Sequence, residues 1–210
     1  MIDATKISNF SLSDSDLEEN ILFWIVAAGK NGTTSARLLN NLLEEIQLLT
    51  YPLPDNVTPF QTVKFSNGVN NLRMLMKAHG IGNHKMKSQA FWELVHSDIN
   101  LRSCSLDDLI KIHGIGRKTA AGFLLHTRPN VRLACLDTHV LKFLRDYGIM
   151  GVPKSTPGKR SKKYTELEDQ FLAIADWWQI DLAELDLAIW NHYRVTPKVP
   201  FNIKGLKQWE

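Results

Sequence analysis

Only two cysteines, Cys104 and Cys135, occur in 210 residues. That is too few for a disulfide framework, a thiolate zinc site or an iron–sulfur cluster, and both are read as reduced thiols of a cytoplasmic protein. No apolar run is long enough to span a bilayer: the longest, Ile21 to Gly29, is nine residues, where about 20 are needed. The amino terminus, Met1 to Lys6, has no basic stretch leading into an apolar one, so no secretory signal is read and no membrane partner is expected. Alternation of apolar and polar residues with a period of two is missing, apart from a brief extended piece at Val131 to Leu136, and there is no internal repeat. Sheet folds and repeat arrays are thereby set aside. With 44% apolar and 22% charged residues, the chain has the composition of a folded protein rather than a disordered one.

What is present is a segregated charge. Residues 1–60 carry a net −5, residues 61–165 a net +12 and residues 166–210 a net −4. A basic middle between acidic ends points to a polyanionic partner. Helical periodicity fills most of the rest. Ser13 and Asp16 form a capping pair ahead of Leu17, Ile21, Trp24 and Ile25, with Gly29 as the stop. A second stripe runs from about Ser35 through Leu38, Leu39, Leu42, Leu43, Ile46 and Leu49, after which Pro52, Pro54 and Pro59 predict a loop. Helices are predicted near 70–79 and 84–96, from Ser105 to Ile112, and at 117–127, 138–147, 164–178 and 182–193, with a Pro-, Gly- and Lys-rich loop over 151–163. Trp24, Trp92, Trp177 and Trp178 are assigned to packing. The fold class is all-α.

The chemically informative stretch is Leu109 to Phe123, Leu-Ile-Lys-Ile-His-Gly-Ile-Gly-Arg-Lys-Thr-Ala-Ala-Gly-Phe. One helix ends, Gly114 and Gly116 bracket Ile115, and another helix begins at once. Glycines there open backbone torsions and let a ligand reach the main chain. The amides of Gly116, Arg117 and Thr119 then face outward at a helix amino terminus, which favours an anion. Such a turn holds a nucleic-acid backbone without reading its sequence. Taken alone, such a glycine pair is more often simply a tight helix–helix connection.

Gly-Ile-Gly-Arg-Lys-Thr-Ala, followed by Leu136-Asp137-Thr138-His139-Val140, resembles the helix-hairpin-helix DNA glycosylase superfamily. Lys118 stands where that family's bifunctional members place their lysine. Asp137, nineteen positions later, stands at the family's aspartate. Gly80 to Ser88 resembles the helix before the hairpin, and Ile21 to Asn31 the helix that ends at the intercalating loop. Tyr164 to Glu168 and Glu184 to Trp190 are similar to the compact archaeal-type 8-oxoguanine glycosylases, in which the residues matching Asp186 and Trp190 line the base pocket. Some of those proteins end at a lysine soon after the tryptophan; this sequence continues to Glu210, so that contact is not carried over.

The resemblance implies two helical lobes with the active site in the cleft between them. One spans 61–136 and holds the hairpin at 105–127; the other is discontinuous, 1–60 plus 137–210. It implies a bifunctional DNA glycosylase/AP lyase of base excision repair that forms a Schiff base through Lys118 and removes an oxidised base, 8-oxoguanine foremost. The same mechanism on an oxidised or modified pyrimidine, or a hairpin protein that binds DNA without catalysis, is the alternative reading. An amine attacks a sugar carbon only when unprotonated, and a helix amino terminus, Arg117 and apolar walls all favour that form. Asp137 would stabilise the oxocarbenium-like charge, although it also suits the N-cap of the helix at 138–147. Flipping the base requires a wedge, for which Asn31 is the candidate. Phe123 and Trp190 are the candidates to stack on the base. Lys85 and Lys87 are candidates for phosphate contact, and a potassium or sodium ion on the hairpin carbonyls is implied by the family alone. No further cofactor is expected. The expected partner is double-stranded DNA carrying a damaged base, met by a monomer in the cytoplasm or at the nucleoid (the nucleus in a eukaryote).

Overall fold

A computed structural model describes residues 1–52, 54 and 56–202 of the chain. The tail at 203–210 lies outside the described residues. After a single 3-10 turn at Ala4–Lys6, ten α-helices follow: α1 (Asp14–Ala27), α2 (Gly32–Leu49), α3 (Pro59–Lys64), α4 (Val69–Ala78), α5 (His84–Val95), α6 (Leu106–Lys111), α7 (Arg117–Thr127), α8 (Thr138–Asp146), α9 (Lys162–Trp178) and α10 (Leu182–Val195). Among the described residues there is no strand; Val131 to Leu136 runs as irregular chain. No described helix is long and apolar enough to cross a membrane.

The chain divides into two compact units, Met1–Pro129 and Asn130–Glu210. In the first, α1 is the central element. Its residues Ile21 to Ala27 are all buried, so it offers apolar surface on every side and packs against α2, α3, α5 and α7. That packing groups the amino-terminal helices with the hairpin, whereas the lobes expected from the sequence were drawn at 60/61 and 136/137. In the second unit, α10 packs on both α8 and α9. Phe143 of α8 meets Phe171 and Trp178 of α9 edge-on, at ring separations of 6.2 and 5.9 Å. Tyr193 of α10 donates to Asp146 of α8 at 2.6 Å, and Lys142 donates to the same carboxylate oxygen at 2.6 Å. Burial alone would raise the Asp146 carboxyl; those two hydrogen bonds outweigh it and hold the group below the usual carboxylate range.

Helix starts follow their caps. The pairs Ser13/Asp16 and Ser105/Asp108 both form full capping boxes. Where Pro52, Pro54 and Pro59 predict a loop, the chain forms α3 from Pro59 onward. Pro59 instead occupies the first helical turn, where its missing N–H costs nothing, and Thr58 with Gln61 completes a third capping box. The start of α2 also lies earlier than expected, at Gly32. Trp177, assigned to packing from the sequence, is 82% exposed. It sits on the outer face of α9, where its neighbour Trp178 takes the contacts with Phe143 and Tyr147.

Candidate active site

Helix α6, the loop 112–116 and α7 form the helix-hairpin-helix of the first unit. The two loop glycines have different physical reasons. Gly114 has φ of +86°, and a Cβ there would lie 3.0 Å from Met86 Cγ and 3.2 Å from Ala90 Cβ, so the fold itself demands glycine. Gly116 has an ordinary φ of −92°, and a Cβ there would meet nothing within 4 Å. No packing contact among the described residues requires that glycine. The loop is fixed from behind by α5, where Glu93 accepts the His113 amide at 2.8 Å. Burial alone would raise that carboxyl, but hydrogen bonds from Gln89 and His113 hold it low. Seven of the ten described helices have a side-chain N-cap; α7 has none. The first-turn amides of α7, from Arg117 to Thr119, therefore meet no capping side chain at an electropositive helix end.

Lys118 sits on that first turn, half-buried. Its Nζ lies over the Trp24 ring, 5.6 Å from the centroid. The same indole stacks on His126, at 5.6 Å and 13°, and covers Gly122 between the two. Positions 118, 122 and 126 repeat every four residues along one face of α7, and Trp24 lies along that face. Its Nε1 is buried and finds no acceptor among the described residues. A Cβ on Gly122 would stand 2.6 Å from the indole, closer than real contacts allow. Gly122→Ala is therefore expected to lower stability by about 1–3 kcal/mol through forced displacement of Trp24, read as a lower denaturant midpoint at unchanged slope. Sequence reasoning assigned Trp24 to packing and passed over its contact with Lys118. The available signal was a lone glycine one turn after Lys118, a sign of close approach inside a helix.

Asp137 belongs to the second unit and is the N-cap of α8, its Oδ1 accepting from the amides of His139 and Val140 at 2.8 Å each. Asp186 and Trp190 lie one turn apart on α10. Asp186 is buried. Trp190 is half-buried, with the Arg194 guanidinium 5.1 Å from its ring centroid.

The remaining candidates separate clearly. Asn31 is exposed and is the N-cap of α2; its side-chain oxygen accepts from the Thr34 amide at 3.1 Å and the Thr33 hydroxyl at 2.7 Å. Phe123 has no exposed surface and serves the core of the first unit. Lys85 is exposed and lines a cavity of about 520 Å³ beside the hairpin, with Arg73, Asn83, Gln89 and His113. Lys87 departs from its expected surface role: it is 1% exposed and donates to the Val26 carbonyl at 2.7 Å. One residue's difference in helical phase turns Lys87 inward while Met86 faces out. Among the described residues, no three His, Cys, Asp or Glu side chains converge as a metal site would need.

The family model described as 8-oxoguanine DNA glycosylase matches residues 4–180. The chain belongs to that family. Within it, an 8-oxoguanine DNA glycosylase/AP lyase from Metallosphaera sedula is 34% identical over 82 residues, which is 39% of this chain and 38% of that relative's length. Among solved structures, the 8-oxoguanine glycosylase/lyase of Methanocaldococcus jannaschii, in complex with a DNA 15-mer containing 8-oxoguanine, aligns at a TM-score of 0.63 and 22% identity, covering 94% of this chain and 89% of that one. The 8-oxoguanine DNA glycosylase of Thermotoga maritima aligns at 0.63 and 23% identity, with the same coverage. These likenesses establish the helix-hairpin-helix glycosylase fold and its all-α class.

Proposed function

We propose that this protein is a bifunctional DNA glycosylase/AP lyase acting on an oxidised base, 8-oxoguanine foremost, in double-stranded DNA. The observation that carries the reading is Lys118, an amine on the uncapped first turn of α7 behind a glycine that the fold does not need. The uncapped first-turn amides of α7 and the unobstructed position at Gly116 suit a phosphodiester, which would bring a nucleoside to the lysine. Lys85, at the cavity beside the hairpin, extends the same basic surface. The protein would act as a monomer, wherever the cell keeps its DNA.

In the proposed reaction the Lys118 amine attacks C1′ of the damaged nucleotide. The N-glycosidic bond breaks and its electron pair leaves with the base. Asp137 offsets the positive charge that builds on the sugar. Ring opening gives an iminium on Lys118; loss of a C2′ proton then expels the 3′ phosphate and cuts the strand. Asp186 and Trp190 would line the base pocket, a polar group and an aromatic face one helical turn apart. A potassium or sodium ion, implied by the family resemblance on the carbonyls of loop 112–116, would stiffen the loop against a phosphate.

The experiment is strand cleavage on duplexes carrying 8-oxoguanine, an oxidised pyrimidine or no lesion. Cleavage at 8-oxoguanine is expected to exceed that of every other duplex by at least about tenfold, the discrimination that one well-matched polar contact supplies. Preference for the pyrimidine moves the base assignment. Binding without turnover across all duplexes defeats the enzymatic reading.

A further inference from the structure

The cavity of about 520 Å³ beside the hairpin is walled by α4, α5 and the loop that leads into α7. Arg73, Lys85 and His113 line it, and none of its described lining residues is an aspartate or a glutamate. Arg73 is half-buried, yet among the described residues neither it nor Lys85 is paired with a carboxylate. A guanidinium that has given up part of its hydration, with no acceptor from its own chain, is open to an anion from outside. Glu93 of α5 does not answer it: that carboxylate accepts from the Gln89 side chain at 2.9 Å and from the His113 amide at 2.8 Å, which braces the cavity wall against the hairpin loop.

The backbone points the same way. Of the ten described α-helices, three have no side-chain N-cap: α4, α5 and α7. Val69 and Asn70, the first two residues of α4, line the cavity, as do Asn83, the N-cap residue of α5, and Lys85 in its first turn. Asn83 is left-handed, at φ of +54°, and its side chain makes no capping hydrogen bond. Uncapped helix starts favour an anion, and here two of them meet around two unpaired cations. The hairpin loop is continuous with this wall, since a Cβ on Gly114 would lie 3.0 Å from Met86 Cγ. We propose that the cavity is a second anion subsite, in which Arg73, with Lys85 at its mouth, holds a phosphodiester group of the duplex beside the one at the hairpin. The idea rests on the reading of this protein as one that binds duplex DNA. Two backbone contacts against one loop fix the register of the strand, and so which nucleotide stands at Lys118.

The test is the salt dependence of binding to an undamaged duplex, followed by fluorescence anisotropy. It compares the parent, Arg73→Gln, Arg73→Lys and Lys64→Gln, the last removing an exposed cation of α3 outside the cavity. Loss of one phosphate contact lowers the slope of log affinity against log salt by about 0.9. That change, with affinity about tenfold weaker at the low-salt end, is expected of Arg73→Gln. Arg73→Lys keeps the charge and should keep the parental slope, as should Lys64→Gln. If Arg73→Gln fails to fold, Lys85→Gln at the exposed mouth replaces it, with the same loss of slope expected. Equal slopes in the parent and Arg73→Gln overturn the proposal, and so does an equal loss in Lys64→Gln, which would make the effect one of net charge. A second arm compares melting in sodium phosphate and in sodium chloride of equal ionic strength. Stabilisation by phosphate that Arg73→Gln loses, while its slope on DNA stays parental, assigns the cavity to the free anion and overturns the DNA contact. A parent that binds duplexes but cleaves none of them defeats the proposed enzyme, and the slopes then still decide the role of Arg73.

Discussion

Lys118→Gln is expected to abolish covalent trapping by borohydride on both lesion-bearing and abasic duplexes. Glutamine keeps most of the side chain's length and hydrogen-bonding capacity but cannot form an iminium, so no adduct exists for the reductant to fix. Strand cleavage should fall by about 10³-fold or more, the scale seen when a covalent nucleophile is removed. The fold should hardly notice. Lys118 is half-buried, and its contact with Trp24 is a single cation–π pair at 5.6 Å, worth about 0.5–1 kcal/mol at a partly exposed site. Binding to an uncleavable abasic analogue should stay within a few-fold of the parent, because the α7 amides and the open backbone at Gly116 remain. The combination of intact binding, intact melting and absent adduct separates a lost nucleophile from a lost phosphate contact. If trapping survives in Lys118→Gln, another amine is the nucleophile and the assignment is wrong.

How much of this was legible in the sequence depends on how local each feature is. The starts of α1, α6 and α7 are written in adjacent residues: Ser13 with Asp16, Ser105 with Asp108, and a glycine before Arg117. The hairpin and its lysine could therefore be placed to the residue. The helix α3 was missed for the opposite reason, since Pro59 breaks a helix anywhere except its first turn and only Thr58 and Gln61 reveal which applies. Burial was the harder quantity. Lys85 and Lys87 are two positions apart and chemically identical, and only the packing of α5 on α1 sends one outward and the other beneath Val26. The Trp24 platform is equally non-local, joining residues about a hundred positions apart through the missing side chain of Gly122. Asp186 and Trp190 lie between these cases. Their shared helix face follows from a spacing of four, but the burial of Asp186 does not.

Asp137→Asn is the substitution in which a structural and a chemical role give opposite forecasts. Asp137 holds two amides of the first turn of α8 through one oxygen, and asparagine caps helices about as well as aspartate. Thermal stability of Asp137→Asn should therefore stay close to that of the parent, apart from about 0.3–1 kcal/mol for an anion lost from a helix amino terminus. Single-turnover release of the base should nevertheless fall by about 10²–10³-fold, because an amide cannot offset the charge that builds on the sugar. Asp137→Ala supplies the complementary reading: it removes cap and charge together, so it should lose a comparable rate and about 1 kcal/mol of stability as well. Loss of rate in both variants, with loss of stability in the second alone, assigns the carboxylate's charge to the reaction and its geometry to the helix. A parental rate in Asp137→Asn, with impairment confined to Asp137→Ala, would reduce Asp137 to a cap and leave the charge on the sugar to be met by some other group.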